Sequence, residues 1–327
     1  MNVERWLIRQ EPQWLELEQL LNRVETEGIQ GLSATEICRL SQLYRVVSAD
    51  LARAKTRRLS NSIINYLQGL TLRGYSQVYQ GQRSQDWRKV WWFFQRGFPA
   101  VVQQTWGYTA FAVGVFLVAA AIAWWYAWSD RQFLELVVPS DILSLVEKEG
   151  KLWMGSIVGV EPLASSAIMT NNLSVAFAML AGGILGGLGT LYMLWNNGLH
   201  MGAIAALVAQ NNLEYPFWAF VSPHGALELP AIFLAGAAGL LLGQAILLPG
   251  RYRRSTALKR NGALAAQLMF GIVPLLVIAG IIEGFWSPNP LIPNSVKYLS
   301  GLGLFAALGF YLAWPLERSP TSGGKCF

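Results

Sequence analysis

The spacing of apolar positions along the chain changes character once, near residue 100. Before that point hydrophobic residues recur among charges: Trp6, Leu7, Trp14, Leu17, Leu20, Leu21 and Val24 keep mostly helical intervals and predict one or two helices over residues 1–27. "LSATEI" then marks a new start. Ser33 can cap, Glu36 three residues later completes a capping box, and Leu32 with Ile37 can form the hydrophobic staple, so a helix begins near Ala34. Leu40, Leu43, Tyr44, Val47 and Leu51 carry its stripe, "RAKTRRLS" reads as a solvated or headgroup-facing surface, and the helical pattern continues, broken or not, to about Gln80. "DWRKVWWFFQRGFP" mixes aromatic rings with Arg and Lys, which suits the boundary between water and lipid and predicts an amphipathic interfacial helix over 86–100 on the inner leaflet.

Beyond it the apolar stretches become nearly continuous. Crossings are predicted at 105–128, 173–195, 199–208, 225–248, 262–282 and 296–314, and all but the third suit a hydrocarbon core of about 30 Å. The third is either a short crossing or a re-entrant segment. Parity bears on the choice: "RYRRSTALKR" after the fourth is the strongest basic cluster between apolar segments, and if it faces the cytoplasm the short piece must cross. Segment 129–170 holds six acids against three Lys and Arg, a balance that suits the outer side. The expectation is an all-α polytopic helical membrane protein with about six transmembrane helices, the third one short. An N-terminal cytoplasmic helical region covers 1–85, the transmembrane domain 101–315 and a cytoplasmic tail 316–327, with both termini inside.

Composition supports this division. Of the 327 residues 53% are hydrophobic and only 13% charged, against roughly 25% charged in soluble domains. The polar front third, 1–104, carries 14 of the 25 Lys and Arg. A pI near 9.4 fits basic loops beside a bilayer, so lipid, and not nucleic acid, is the partner it implies. No signal peptide is visible, which would keep the N-terminus in the cytoplasm. Cys38 and Cys326 are too few for a disulfide framework or a Cys-rich zinc site, and Cys326, next to last, does not fit a prenylation box.

Candidate chemistry centres on "SPHGALELP". The simplest account makes Ser222 an N-cap and Pro223 the first helical residue, with His224 and Glu228 sharing a face as a neutralising pair. That account leaves unexplained why an acid is kept inside lipid, and an ionisable residue there is by default a functional candidate. "WNNGLHMG" places Asn197, Gly198 and His200 before the short segment, as in discontinuous transporter helices; the bland alternative is that the paired asparagines, Asn172 among them, cap helices. A zinc site is disfavoured, since a catalytic zinc takes three protein ligands and this threading puts His200 at the inner end of the third segment and His224 at the outer end of the fourth. No metal, no cofactor and no catalytic residue is therefore assigned. Glu161, Glu214 and Glu283 are read as interface residues near span ends. The glycines of "AGGILGGLG", Gly182 with Gly186 and Gly183 with Gly187, are read as packing positions on one helix face, matched by Ala235, Gly239 and Gly243 on the fourth span, so that these helices touch each other or a second copy of the chain.

The order of these motifs resembles the stage II sporulation protein M family of bacterial membrane proteins. The resemblance rests on Asn172, Gly183, Gly187, Asn197, Gly198, Gly202, Pro223, His224, Gly225 and Glu228, with "LYRVVSADLARAK" similar to the family's helical stretch ahead of the membrane. It implies a bacterial inner (plasma) membrane protein. In spore-formers the family member is understood as a non-enzymatic membrane partner of peptidoglycan-degrading proteins, so the resemblance implies a scaffold that recruits other membrane or envelope proteins. Two alternatives stay open beside it: a transporter or channel using His224, Glu228 and a discontinuous third helix, and, ranked last, an intramembrane hydrolase.

Overall fold

The computed structural model describes residues 3–77 and 87–314. Among the described residues there is no strand, and the chain divides into two compact units near residue 90 of the sequence. The helical continuation to residue 80, the start of the interfacial segment at 86, Cys326 and the tail all fall outside the described residues.

In the first unit three helices, α1 (Val3–Glu27), α2 (Ala34–Thr56) and α3 (Asn61–Tyr75), pack around Trp14, Leu17, Leu21, Val24, Leu40, Leu43, Val47 and Leu67. All but Leu67 are positions that the helical spacing selects, and each fully buried leucine stabilises the unit by roughly 1.5–3 kcal/mol relative to exposure. The capping box forms as predicted. The Ser33 N–H donates to Glu36 Oε2 at 2.8 Å, and the Glu36 N–H donates to Ser33 Oγ at 3.3 Å. One carboxylate lies inside this core: Asp50 is fully buried and accepts from Trp14 Nε1 at 3.0 Å and from Arg53 at 3.3 Å.

The second unit begins with α4 (Trp87–Trp92), a π turn (Phe93–Gly97) and α5 (Phe98–Gln104). Trp91 and Trp92 expose their rings, whereas Phe98 and Val101 are buried. There follow α6 (Trp106–Ser129), α7 (Arg131–Val137), α8 (Ser140–Glu149), a 3₁₀ turn (Trp153–Ile157), α9 (Glu161–Gly182), α10 (Leu188–Gln210), α11 (Glu214–Leu247), α12 (Arg254–Ile281) with a π turn (Ile282–Trp286), and α13 (Asn294–Ala313). Five of the described helices, α6, α9, α11, α12 and α13, are long and apolar enough to cross a membrane. The sixth long helix, α10, has 23 residues but is less apolar, because Asn196, Asn197, His200 and Gln210 interrupt it.

The chain is thus an all-α polytopic membrane protein, but three of the predicted crossings are displaced. The stretch 173–195 is not one helix. Gly186 (φ 68°) and Gly187 (φ 87°) take left-handed backbone that a β-carbon disfavours, so α9 ends and α10 returns as a hairpin. The third long helix is therefore not short: it starts at Leu188, before the predicted 199. Likewise α11 starts at Glu214, with Glu214 and Pro216 in its first turn, so Ser222 and Pro223 lie well inside the helix and cap nothing.

The glycines act across this hairpin. Gly182 and Gly189 bring its two arms together backbone to backbone, and Thr190 Oγ1 donates to the Met179 carbonyl at 2.7 Å. On α11, Gly239 meets Gly183, Met179 and Thr190, and Gly243 meets Gly187. The glycines of "AGGILGGLG" therefore do meet those of α11 within one chain, but through a turn and not through a helix face. A further pair, Gly198 and Gly202, seats α10 on the carbonyls of Phe116 and Ala120 of α6. Lipid supplies no hydrophobic drive between helices, so such close approach is how they gain packing. Their effect is to make α11 the buried centre of the unit, with α6, α9, α10, α12 and α13 around it.

Candidate functional site

Because α11 is central, its polar positions face other helices and not lipid. His224 is 5% exposed, and its ring stands edge-on to Phe220 at 5.1 Å. Its Nδ1 lies 3.1 Å from Oγ of Ser287, itself fully buried just beyond the π turn. The Ser287 carbonyl in turn accepts from Nζ of Lys297 on α13 at 2.6 Å. With Nδ1 so engaged, Nε2 faces the other way, 4.0 Å from Oε1 of Glu283. Glu228, one turn after His224 on the same face of α11, completes the group: one donor atom each from His224, Glu228 and Glu283 lie within 4.8 Å of one another.

The three side chains open onto a cavity of about 230 Å³ whose wall also includes Asn197 and His200 of α10. Two larger clefts, of about 750 and 880 Å³, are lined by side chains such as Phe111, Leu191, Phe233 and Phe305, which suits them to acyl chains.

Of the sequence candidates, His224, Glu228, Asn197 and His200 come together at one cavity, and the side chain of Asn172 of α9 lies beside Glu228. Gly198 does not line it, being spent on the contact with α6. Two expectations are overturned. The imidazoles were held apart by a threading that began the third crossing at 199; with α10 starting at Leu188, His200 falls mid-helix beside His224. Asn172 and Asn197 are likewise mid-helix and not caps, and Asn197 donates to the Met193 carbonyl at 2.8 Å. His224 and Glu228, expected to neutralise each other, share the cavity without a hydrogen bond between them.

Glu283 is the principal residue that sequence reasoning missed. It follows the apolar run "PLLVIAGII" directly, and the argument made for Glu228, an acid where leucine would insert more readily, applies to it equally. The π turn carries it inward, to 18% side-chain exposure, and such turns are frequent at functional sites. Ser287 and Lys297 had no comparable signal, since "SPNP" reads as an ordinary turn.

Fold and site together define a polytopic helical membrane protein with a polar, ionisable cluster inside its bundle. The chain belongs to the stage II sporulation protein M family, which it matches over residues 112–288, from within α6 to just past Ser287. The front region, residues 4–80, matches a domain of unknown function, DUF8413. An uncharacterized protein of Methanocaldococcus jannaschii, MJ0793, is 32% identical over 127 residues, covering 38% of this chain and 70% of that protein. No solved structure matches.

Proposed function

We propose that this chain handles a small cation within the membrane, taking it up in the cavity between α10, α11 and the end of α12. The observation that carries the reading is the convergence of His224, Glu228 and Glu283 within 4.8 Å inside a bundle of apolar helices. Ionisable groups in a bilayer are costly, and helix pairing alone would leave each of them partnered. Instead Glu228, which lines the cavity, keeps its Oε2 buried without a hydrogen-bond partner. Two carboxylates give that space a negative potential when ionised, which selects cations over anions and neutral solutes.

Protein reconstituted in liposomes tests this with a panel of protons, sodium, potassium and divalent ions. The reading requires at least one flux that falls tenfold or more in Glu228→Gln. A panel with no flux, or one unchanged by that substitution and by Glu283→Gln, overturns it.

Partner recruitment is a second reading with its own support. Residues 3–77 fold around a separate core and present an exposed surface rich in ion pairs such as Arg39–Glu16 and Arg23–Glu36, which suits a docking module. In this reading the chain is a non-enzymatic scaffold of the cell envelope. Crosslinking that recovers no other envelope protein opposes it. For either role we place the chain in the inner membrane with both termini and the Arg251–Arg254 loop inside, because basic loops stay cytoplasmic.

A further inference from the structure

We propose that His224, Glu228 and Glu283 bind one divalent transition-metal ion, of the zinc or manganese class. The inference rests on the reading of the cavity as a cation site and makes it specific.

The donor set comes first. One imidazole nitrogen and two carboxylate oxygens within 4.8 Å can surround a single ion at bond lengths of about 2.0–2.2 Å after small rotations of the two glutamate side chains. The imidazole favours zinc, manganese and their neighbours over magnesium and calcium, which prefer oxygen alone.

Orientation is the second observation. A metal-bound histidine usually has its other ring nitrogen held by a hydrogen bond, which fixes the ring and aims the free lone pair. Here Nδ1 is held by Ser287 Oγ at 3.1 Å, leaving Nε2 toward Glu283. His224 and Glu228 are fixed to each other by one turn of α11, so closing the site asks little of the backbone.

Charge and an orphaned atom supply the third, independent of the spacing. Among the described residues no Arg or Lys lines the cavity, and Lys297 is committed to the Ser287 carbonyl. Two carboxylates in this setting lack a counter-charge that a divalent ion supplies in full. Glu228 Oε2 is buried without a partner on a member of the cluster, and an unpartnered buried lone pair is what an ion would satisfy. Three protein ligands leave a position for water or for Asn197 or His200 on the wall, the arrangement of an exchanging site and not of a closed structural one.

The experiment uses the full chain, free of any affinity tag, in detergent or nanodiscs. Protein stripped with a chelator is titrated with zinc, manganese and, as a control, magnesium, and the metal retained after desalting is counted by mass spectrometry. We expect about one zinc or manganese per chain, a rise in the unfolding temperature on adding it, and affinity at least tenfold weaker in Glu228→Gln and in Glu283→Gln, with His200→Ala still holding one ion. Should one glutamine variant fail to fold, the other decides. Retention of no metal by the wild type, or equal binding by the wild type and the folded glutamine variants, overturns the site. Metal binding without ion flux supports the site and overturns the transport reading. Flux without metal binding overturns the site and leaves that reading standing.

Discussion

Nδ1 of His224 on α11 lies 3.1 Å from Oγ of Ser287, a residue 63 positions further along the chain. The contact ties the centre of the bundle to the π turn that carries Glu283, so one hydroxyl fixes both the direction of the imidazole and the approach of the acid. Ser287→Ala removes it. Leaving a buried ring nitrogen unpartnered costs about 1–3 kcal/mol, measurable as a lower unfolding temperature in detergent. Because the ring is then free to turn, metal affinity should also fall roughly 10- to 100-fold. Unchanged affinity would show that the serine does not position the histidine.

The glycine contacts give a paired test. A β-carbon at Gly239 would collide with the Met179 carbonyl and Thr190 Oγ1, both fixed by the hairpin, whereas one at Gly303 of α13 would meet nothing within 4 Å. Gly239→Ala should cost about 1–3 kcal/mol or more from overpacking. Gly303→Ala should be neutral or stabilising by up to about 1 kcal/mol, since alanine is the better helix former. Resistance of both variants to denaturing detergent reads the difference directly.

The capping box makes a pH-dependent prediction for the first unit. The backbone N–H and hydroxyl of Ser33, helped by Arg23, hold the Glu36 carboxyl down at about 2, well below its ordinary 4.5. A lowered value means that the folded state favours the ionised form. Its stabilising effect on the start of α2 is therefore complete above about pH 4.5 and fades as pH falls toward 2. Amide-exchange protection of residues 33–37, corrected for intrinsic rates, should decline across that window in the wild type. In Glu36→Gln it should be lower at neutral pH and flat across the window. A wild-type profile as flat as the variant's would remove this role for the carboxylate.

The threading can be checked with single cysteines replacing Asn2 and Arg253 in a Cys38→Ser, Cys326→Ser background. Both should react with a membrane-impermeant maleimide only after the cytoplasmic face is opened. Labelling from opposite faces would break the six-crossing arrangement.

Much of the fold was legible because its signals are local. Ser33 and Glu36 make a capping box from two residues three apart, and the hydropathy of 106–129 or 254–281 reports the surrounding medium whatever the neighbouring helices do. His224 and Glu228 were legible for the same reason, an acid and an imidazole where lipid would prefer leucine. "AGGILGGLG" was misread because small residues at i and i+4 look alike whether they line a helix face or form a turn. Only backbone angles separate the two, and those are set by how closely α9, α10 and α11 can pack.

The sequence by itself determined that this protein lives in a bilayer, where its first and fifth long apolar helices run, and which residues are too polar to be there without a reason. The tertiary structure decided that Asn172, His200, His224 and Glu283, drawn from four helical segments, share one place. That meeting depends on the hairpin at Gly186 and Gly187, on the glycine contacts that centre α11, and on the π turn that rotates Glu283 inward. Each is a relation between segments distant along the chain, and no local pattern encodes it.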